Sequence, residues 1–376
     1  MLQKMQKQVP DMLAVLKQLV ELESPSTNKA AVDQLIQFLV NEVERRGGRP
    51  EVIKQTETGN HLRAEWGSGE DQVLILCHID TVWDVGEILQ RPFRVEGDKA
   101  YGPGIYDMKA GTVQTLFALD AIRAAGWDLD CRVVVIFNSD EEIGSTTSRP
   151  LIEAEARRSR AVFVLEPSVP PQGALKTSRK GVGSFTMKVS GVAAHAGSAP
   201  QDGASAIQEL ALQTIRLHTL TDYDKGTTVN VGVVRGGSRS NVVADHAEAE
   251  IDLRVVTQAE AERVVPQILN STAHTPGTKV EVSGGMNRPP MERTPQIVEL
   301  YRLAERLAGE LGIAISEGST GGGSDGNFTA ALGIPTLDGL GAVGDGAHAV
   351  HEHLSISKLP ERTALLARLL QEVGRA

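Results

Sequence analysis

The chain has 376 residues, 41% of them hydrophobic and 23% charged, with a net charge of −10. That length exceeds the usual single domain, so two domains are expected, and the acidic balance excludes a nucleic-acid surface. No apolar run reaches membrane-spanning length, and the N-terminal stretch lacks the continuous apolar core and cleavage site of a signal peptide. Cys77 and Cys131 both lie in apolar runs and fit buried thiols in a reducing, cytoplasmic compartment.

Met12, Val15, Leu16, Leu19 and Val20 recur at helical spacing, as do Val32, Leu35, Ile36, Leu39 and Val43. Strands are predicted at 50–55, 61–66 and 72–77, and the last runs into His78-Ile-Asp80-Thr-Val. Residues i and i+2 of an extended segment share a face, so His78 and Asp80 can point into one site. A carboxylate two residues on makes the histidine a ligand candidate, because metal-bound imidazoles have an outer acceptor. Next, Gly102, Pro103 and Gly104 form a rigid loop that delivers Asp107 to the start of an apolar helix at 112–124. An N-cap and a functional carboxylate both fit that place. The loop matches neither glycine-rich phosphate-binding pattern.

The apolar run Val133-Val-Val-Ile-Phe137 reads as a strand buried on both faces of a largely parallel sheet. Asp140, Glu141 and Glu142 follow it, at the carboxyl edge where open α/β sheets place ligands. Three adjacent carboxylates repel one another and are most readily kept when cations neutralise them; a solvated acidic turn is the alternative. A helix at 146–158 and a strand at 161–165 then lead to Glu166-Pro167, a further carboxylate at a strand's carboxyl edge.

Pro167, Pro170, Pro171 and Gly173 form a linker, after which the pattern changes to strand 184–190, helix 204–220, strands 227–234 and 247–255, helix 258–273 and strand 278–283. This is the ferredoxin-like order. It sets an inserted α+β domain at 177–286 within a discontinuous domain made of 1–176 and 287–376. Thr294-Pro295 then caps a helix that Gly312 ends. The run Ser319-Thr-Gly-Gly-Gly-Ser-Asp325-Gly is too glycine-rich for regular structure and lets backbone groups approach a ligand, which makes Gly322 a candidate substrate contact. After a strand at 334–337, His348, His351 and His353 crowd into six residues of a chain with nine histidines, and a helix at 357–373 closes the fold.

His78, Asp107, Glu141, Glu142, Glu166 and one of His348, His351 and His353 are thus the ionisable groups at strand ends and in loops. Two zinc ions need about this inventory, with one carboxylate to spare as a base. Two divalent cations, three carboxylate ligands and a bridging hydroxide carry no net charge. No G-x-S-x-G elbow is present and both cysteines lie in strands, so nucleophilic serine or cysteine catalysis has no support.

The motifs His78-Ile-Asp80-Thr-Val, Gly-Pro-Gly-Ile-Tyr-Asp107-Met-Lys-Ala-Gly, Asp140-Glu141-Glu142-Ile-Gly-Ser, Glu166-Pro, Ala194-His195-Ala-Gly and Thr-Gly-Gly-Gly-Ser-Asp325 together resemble the M20 family of metallopeptidases, its glutamate carboxypeptidase branch in particular. The resemblance implies a mostly parallel-sheet di-zinc catalytic domain with an inserted ferredoxin-like lid and dimerisation domain, hence a homodimer. It implies two Zn2+ per chain, with Co2+ or Mn2+ as substitutes. Asp107 would bridge the metals, His78 and Glu166 would hold one, and Glu142 and His348 the other. His348 is selected because the family's histidine precedes a glutamate at +4 or +5, here Glu352. Glu141 would be the general base activating a metal-bridging hydroxide, and Asp80 would orient His78. His195 would stabilise the oxyanion, and Asn230 and Arg288 would contact substrate, Arg288 through the α-carboxylate. The implied reaction cleaves an amide next to a C-terminal amino acid. Hydrolysis of N-acyl amino acids is the alternative, and an inactive metal-binding relative is a third reading. No basic residue aligns with a role in binding a glutamate side chain.

Overall fold

A computed structural model describes residues 1–127 and 131–375. The chain divides into two compact units, one of Met1–Ser178, Arg293–Thr320 and Ser324–Ala376, the other of Arg179–Glu292 and Gly321–Gly323.

The first unit is built on a six-stranded sheet in the order Arg49–Ile53, His61–Gly67, Arg132–Asn138, Gln72–His78, Ala161–Val164, Thr336–Leu337. The last four run parallel, and His61–Gly67 pairs antiparallel with Arg132–Asn138. Alternation along the two central strands sends side chains to opposite faces. Val73, Ile75, Cys77, Val133, Val135 and Phe137 join one apolar cluster, with the helices Val9–Glu21, Lys29–Arg45, Ala110–Ala124 and Leu359–Arg375. Leu74, Leu76, Val134 and Ile136 join another, under Ile152 and Ala156 of the helix Arg149–Ala156. Both faces are covered, which is why these strands read as unbroken apolar runs. Parallel pairing puts the carboxyl ends of Gln72–His78, Arg132–Asn138 and Ala161–Val164 at one edge, and three of the chain's charged motifs follow directly from those ends. Cys77 and Cys131 are both buried.

The second unit is a four-stranded antiparallel sheet in the order Thr228–Gly236, His246–Val255, Gly181–Ser190, Lys279–Arg288. Numbered along the chain this is 2-3-1-4, the ferredoxin-like order, with helices Ala206–His218 and Gln258–Leu269 packed on it. Ser205 and Thr257 cap those helices, each accepting an N–H three residues on. The fold is therefore mixed α/β, with a mostly parallel central sheet and a separate α+β unit. Gly322 belongs to the second unit, although the sequence places it with the residues that follow the insertion.

Candidate metal centre

Three strands and two loops of the first unit deliver the charged groups. His78 ends its strand, Glu141 and Glu142 sit in a single tight turn three residues beyond Asn138, and Glu166 follows Ala161–Val164. Asp107 is held extended, with φ −112° and ψ 99°, in a wide turn, Ile105–Lys109; Lys109 stands at the cap position of the helix Ala110–Ala124, and no side chain caps it. His348 occupies the left-handed region at φ 59° within the loop 346–352.

These groups converge. His78 Nε2 lies 3.0 Å from Asp107 Oδ1 and 3.5 Å from Glu166 Oε1. His348 Nε2 lies 3.5 Å from Asp107 Oδ2 and 3.0 Å from Glu142 Oε2. Each oxygen of Asp107 thus faces a different histidine, so the described residues form two groups able to hold a metal ion that share one carboxylate. The donors are imidazole nitrogen and carboxylate oxygen, a set that suits zinc. His351 and His353 are not among them: His353 turns Nδ1 to the His351 carbonyl and packs on Tyr101.

The electrostatics follow from this crowding. Burial alone would lower the His78 imidazole, but its bonds to Asp107 and Asp80 and the charges of Asp107 and Glu166 hold it well above its ordinary value. Glu142 beside His348 pushes that imidazole up to about 9. Burial and the Asp107 charge raise Glu142 itself. Such a crowded set of carboxylates and imidazoles is one that cations would neutralise.

Residues 74–372 match the model of peptidase family M20/M25/M40. The chain belongs to the M20 peptidase family. It is 30% identical over 380 residues to carboxypeptidase G2 of Pseudomonas sp. (strain RS-16), covering 97% of this chain and 90% of that one. A succinyl-diaminopimelate desuccinylase of Delftia acidovorans is 26% identical over 389 residues, covering 96% of this chain and 98% of its own. The fold superposes on a Staphylococcus aureus tripeptidase with a TM-score of 0.79 at 22% identity, over 98% of this chain and 99% of that one. The protein is therefore a metallopeptidase or amidohydrolase of the M20 family.

The structure of this M20 chain also separates acids that are adjacent in sequence. Asp140 is turned away from the cluster and accepts from Thr147 N (2.7 Å), Thr147 Oγ1 (2.7 Å) and Ser148 Oγ (2.5 Å), so hydroxyls and amides satisfy it, not cations. Glu142 enters a metal-capable group and Glu141 does not. Asp80 is fully buried and holds their turn in place: its carboxylate accepts Ser26 Oγ at 2.6 Å and the Glu141 and Glu142 amides at 3.2 and 3.1 Å. The nearer partner of His78 Nδ1 is the Asp80 carbonyl at 3.0 Å; the carboxylate is at 3.5 Å.

Glu352 is a site residue whose role the sequence does not reveal; only its spacing from His348 marks it. It is 2% exposed and accepts four N–H bonds, from Gly104 (2.8 Å) and Trp83 Nε1 (3.0 Å) on one oxygen and from Tyr106 (2.9 Å) and Asp107 (3.1 Å) on the other. Burial pushes this carboxyl up to about 7 against the pull of those donors. The bonds fix the loop that carries the shared carboxylate. In Glu352→Gln an amide nitrogen faces N–H donors, so metal affinity should fall by about 10–100-fold, the usual effect of losing such a support. Competition with a chelating dye measures this, and an unchanged affinity would count against it.

In the second unit His195 is exposed, and its Nδ1 accepts the N–H groups of Gly197 and Ser198, both at 3.1 Å. With Nδ1 committed as acceptor, the ring proton of the neutral imidazole sits on Nε2. Asn230 is exposed on the edge strand, opposite Asp252. Arg288, 4% exposed, ends its strand. The Gly322 carbonyl accepts from Arg179 Nη1 at 3.1 Å.

Proposed function

We propose that this chain is a di-zinc hydrolase that cleaves the amide bond next to a C-terminal amino acid. The observation that carries the reading is the sharing of Asp107 between two metal-capable groups, with Glu141 one residue from the ligand Glu142. His78, Asp107 and Glu166 would hold one ion, and Asp107, Glu142 and His348 the other. Bound zinc, or cobalt or manganese in its place, would polarise the scissile carbonyl and acidify the attacking water. Glu141 takes the proton of that water and passes it to the leaving nitrogen. Asp80 keeps Glu141 in register through its backbone amide. His195, with its proton on Nε2, is the proposed donor to the carbonyl oxygen as negative charge develops there. Arg288 is the proposed partner of the substrate's free carboxylate, because its planar fork binds carboxylate through two bonds. Asn230 and the backbone of Gly322 are the proposed further contacts.

Similarity to a desuccinylase supports a second reading, in which the substrate is an N-acyl amino acid. Hydrolysis of X-Glu and X-Ala peptides and of N-acyl amino acids by the zinc-loaded protein separates the two. Turnover of none of them would reject both.

The second unit is also the proposed dimerisation domain. Its edge strand Thr228–Gly236 and helix Ala206–His218 expose Ile207, Ile215, Val233 and Val234, which line or flank an apolar groove that a second copy would cover. Sedimentation showing only monomer at micromolar concentration would exclude it. A cytoplasmic location is the companion proposal, in keeping with two cysteines buried in apolar surroundings, and cell fractionation tests it.

A further inference from the structure

Three of the segments that carry ligands of the candidate centre, those of His78, Glu142 and His348, also expose an apolar side chain one or two positions beyond a site residue. Val82 follows Asp80 and is 44% exposed, Ile143 follows Glu142 and is 48% exposed, and Val350 follows His348 and is 75% exposed. Single exposed apolar residues need no explanation, but these three are tied together. The Asp80 carboxylate binds the amides of Glu141 and Glu142, which joins the loop of Val82 to the turn of Ile143. Trp83 Nε1 donates to Glu352, and Arg91 lies 3.9 Å over the Trp83 ring while donating to the Ala349 carbonyl, which joins the loop of Val82 to that of Val350. By chain length alone, each of the three Cα atoms lies within about 8 Å of the Cα of the site residue it follows.

We infer that Val82, Ile143 and Val350 form an acyl-side subsite for an apolar group on the carbonyl side of the scissile amide. The inference rests on the amidohydrolase reading and adds the substrate's chemical class. A substrate amide brought to the ligand atoms would pass close to these loops, where Val82, Ile143 and Val350 offer it exposed apolar side chains. The choice of side follows from the substrate's own charge. A C-terminal amino acid carries its carboxylate one carbon from the scissile nitrogen, so the leaving side of the site calls for cations. The acyl side carries no such demand and can be apolar throughout. Each methylene removed from water in such a pocket favours binding, by up to one or two powers of ten in specificity.

The test is a set of N-acyl derivatives of one amino acid, cleaved by the zinc-loaded full chain: acetyl, hexanoyl and succinyl. The wild type should prefer hexanoyl over acetyl by about tenfold or more in kcat/KM, with succinyl below both. Combining Val82→Ser, Ile143→Ser and Val350→Ser should bring the hexanoyl-to-acetyl ratio to about threefold or less, mainly through a higher KM for hexanoyl, because apolar contact acts alike on ground and transition states. Val82→Thr with Val350→Thr keeps the side-chain shape and should shift the ratio in the same direction, so a loss of folding in the triple variant does not decide the matter. Equal cleavage of the three acyl groups by the wild type would overturn the inference while leaving the amidohydrolase reading intact. So would an apolar preference that follows the amino acid instead of the acyl group, or one that survives both sets of substitutions. Cleavage of no acyl amino acid or peptide would overturn the reading and the inference together.

Discussion

Glu141→Ala is expected to keep the metal content of the native chain and to lose about 10²–10⁴-fold in kcat. Its carboxylate stands outside both metal-capable groups, and the backbone amide that holds its turn to Asp80 does not depend on the side chain. Truncation therefore removes a proton carrier without opening a ligand shell. Because the proton transfer occurs in the transition state, kcat and kcat/KM should fall together with little change in substrate affinity. Elemental analysis decides between base and ligand. A variant that has lost one metal equivalent would reassign Glu141 to the shell.

His195→Ala is the second large effect, about 10²–10³-fold in kcat, the loss seen when one donor to a developing oxyanion is removed. The local geometry sets the expectation. Two backbone N–H groups fix Nδ1 as acceptor, which leaves Nε2–H to donate outward from an exposed loop. His195→Gln, whose side-chain amide can still donate, should recover part of the loss. The two N–H groups orphaned by the alanine are in an exposed loop and find water, so thermal stability should move little. An alanine variant that melts earlier yet turns over at the native rate would assign His195 a structural role.

What could be read from the sequence follows from local chemistry. The strands Gln72–His78 and Arg132–Asn138 were legible because burial on both faces demands unbroken apolar runs, and the charged groups after them stood out by contrast. The ferredoxin-like order was legible from alternation, since each of its strands has one covered face. The individual jobs of Asp140, Glu141 and Glu142 were not legible from local chemistry; only the motif resemblance separated Glu141 from Glu142. Adjacent acids look alike in a sequence, and only the tight turn Glu141–Ile143 sends Asp140 to the hydroxyls of Thr147 and Ser148. Asp107 also fitted a helix cap, but Lys109 takes that place and no side chain caps the helix Ala110–Ala124. Glu352 was hidden for a different reason. Its four partners come from two loops some 250 residues earlier in the chain, and nothing in its own neighbourhood announces them. The same holds for Ser26, which reaches Asp80 from the N-terminal segment.

If two ions share Asp107, as proposed, hydrolysis depends on both. Zinc titration into chelator-stripped protein, with hydrolysis of an N-acyl amino acid followed at each addition, tests it most directly. Activity should rise to a plateau at two equivalents per chain, and in Asp107→Ala both equivalents should bind more weakly, with activity lost. A plateau at one equivalent, or hydrolysis that persists in the stripped protein, would contradict it.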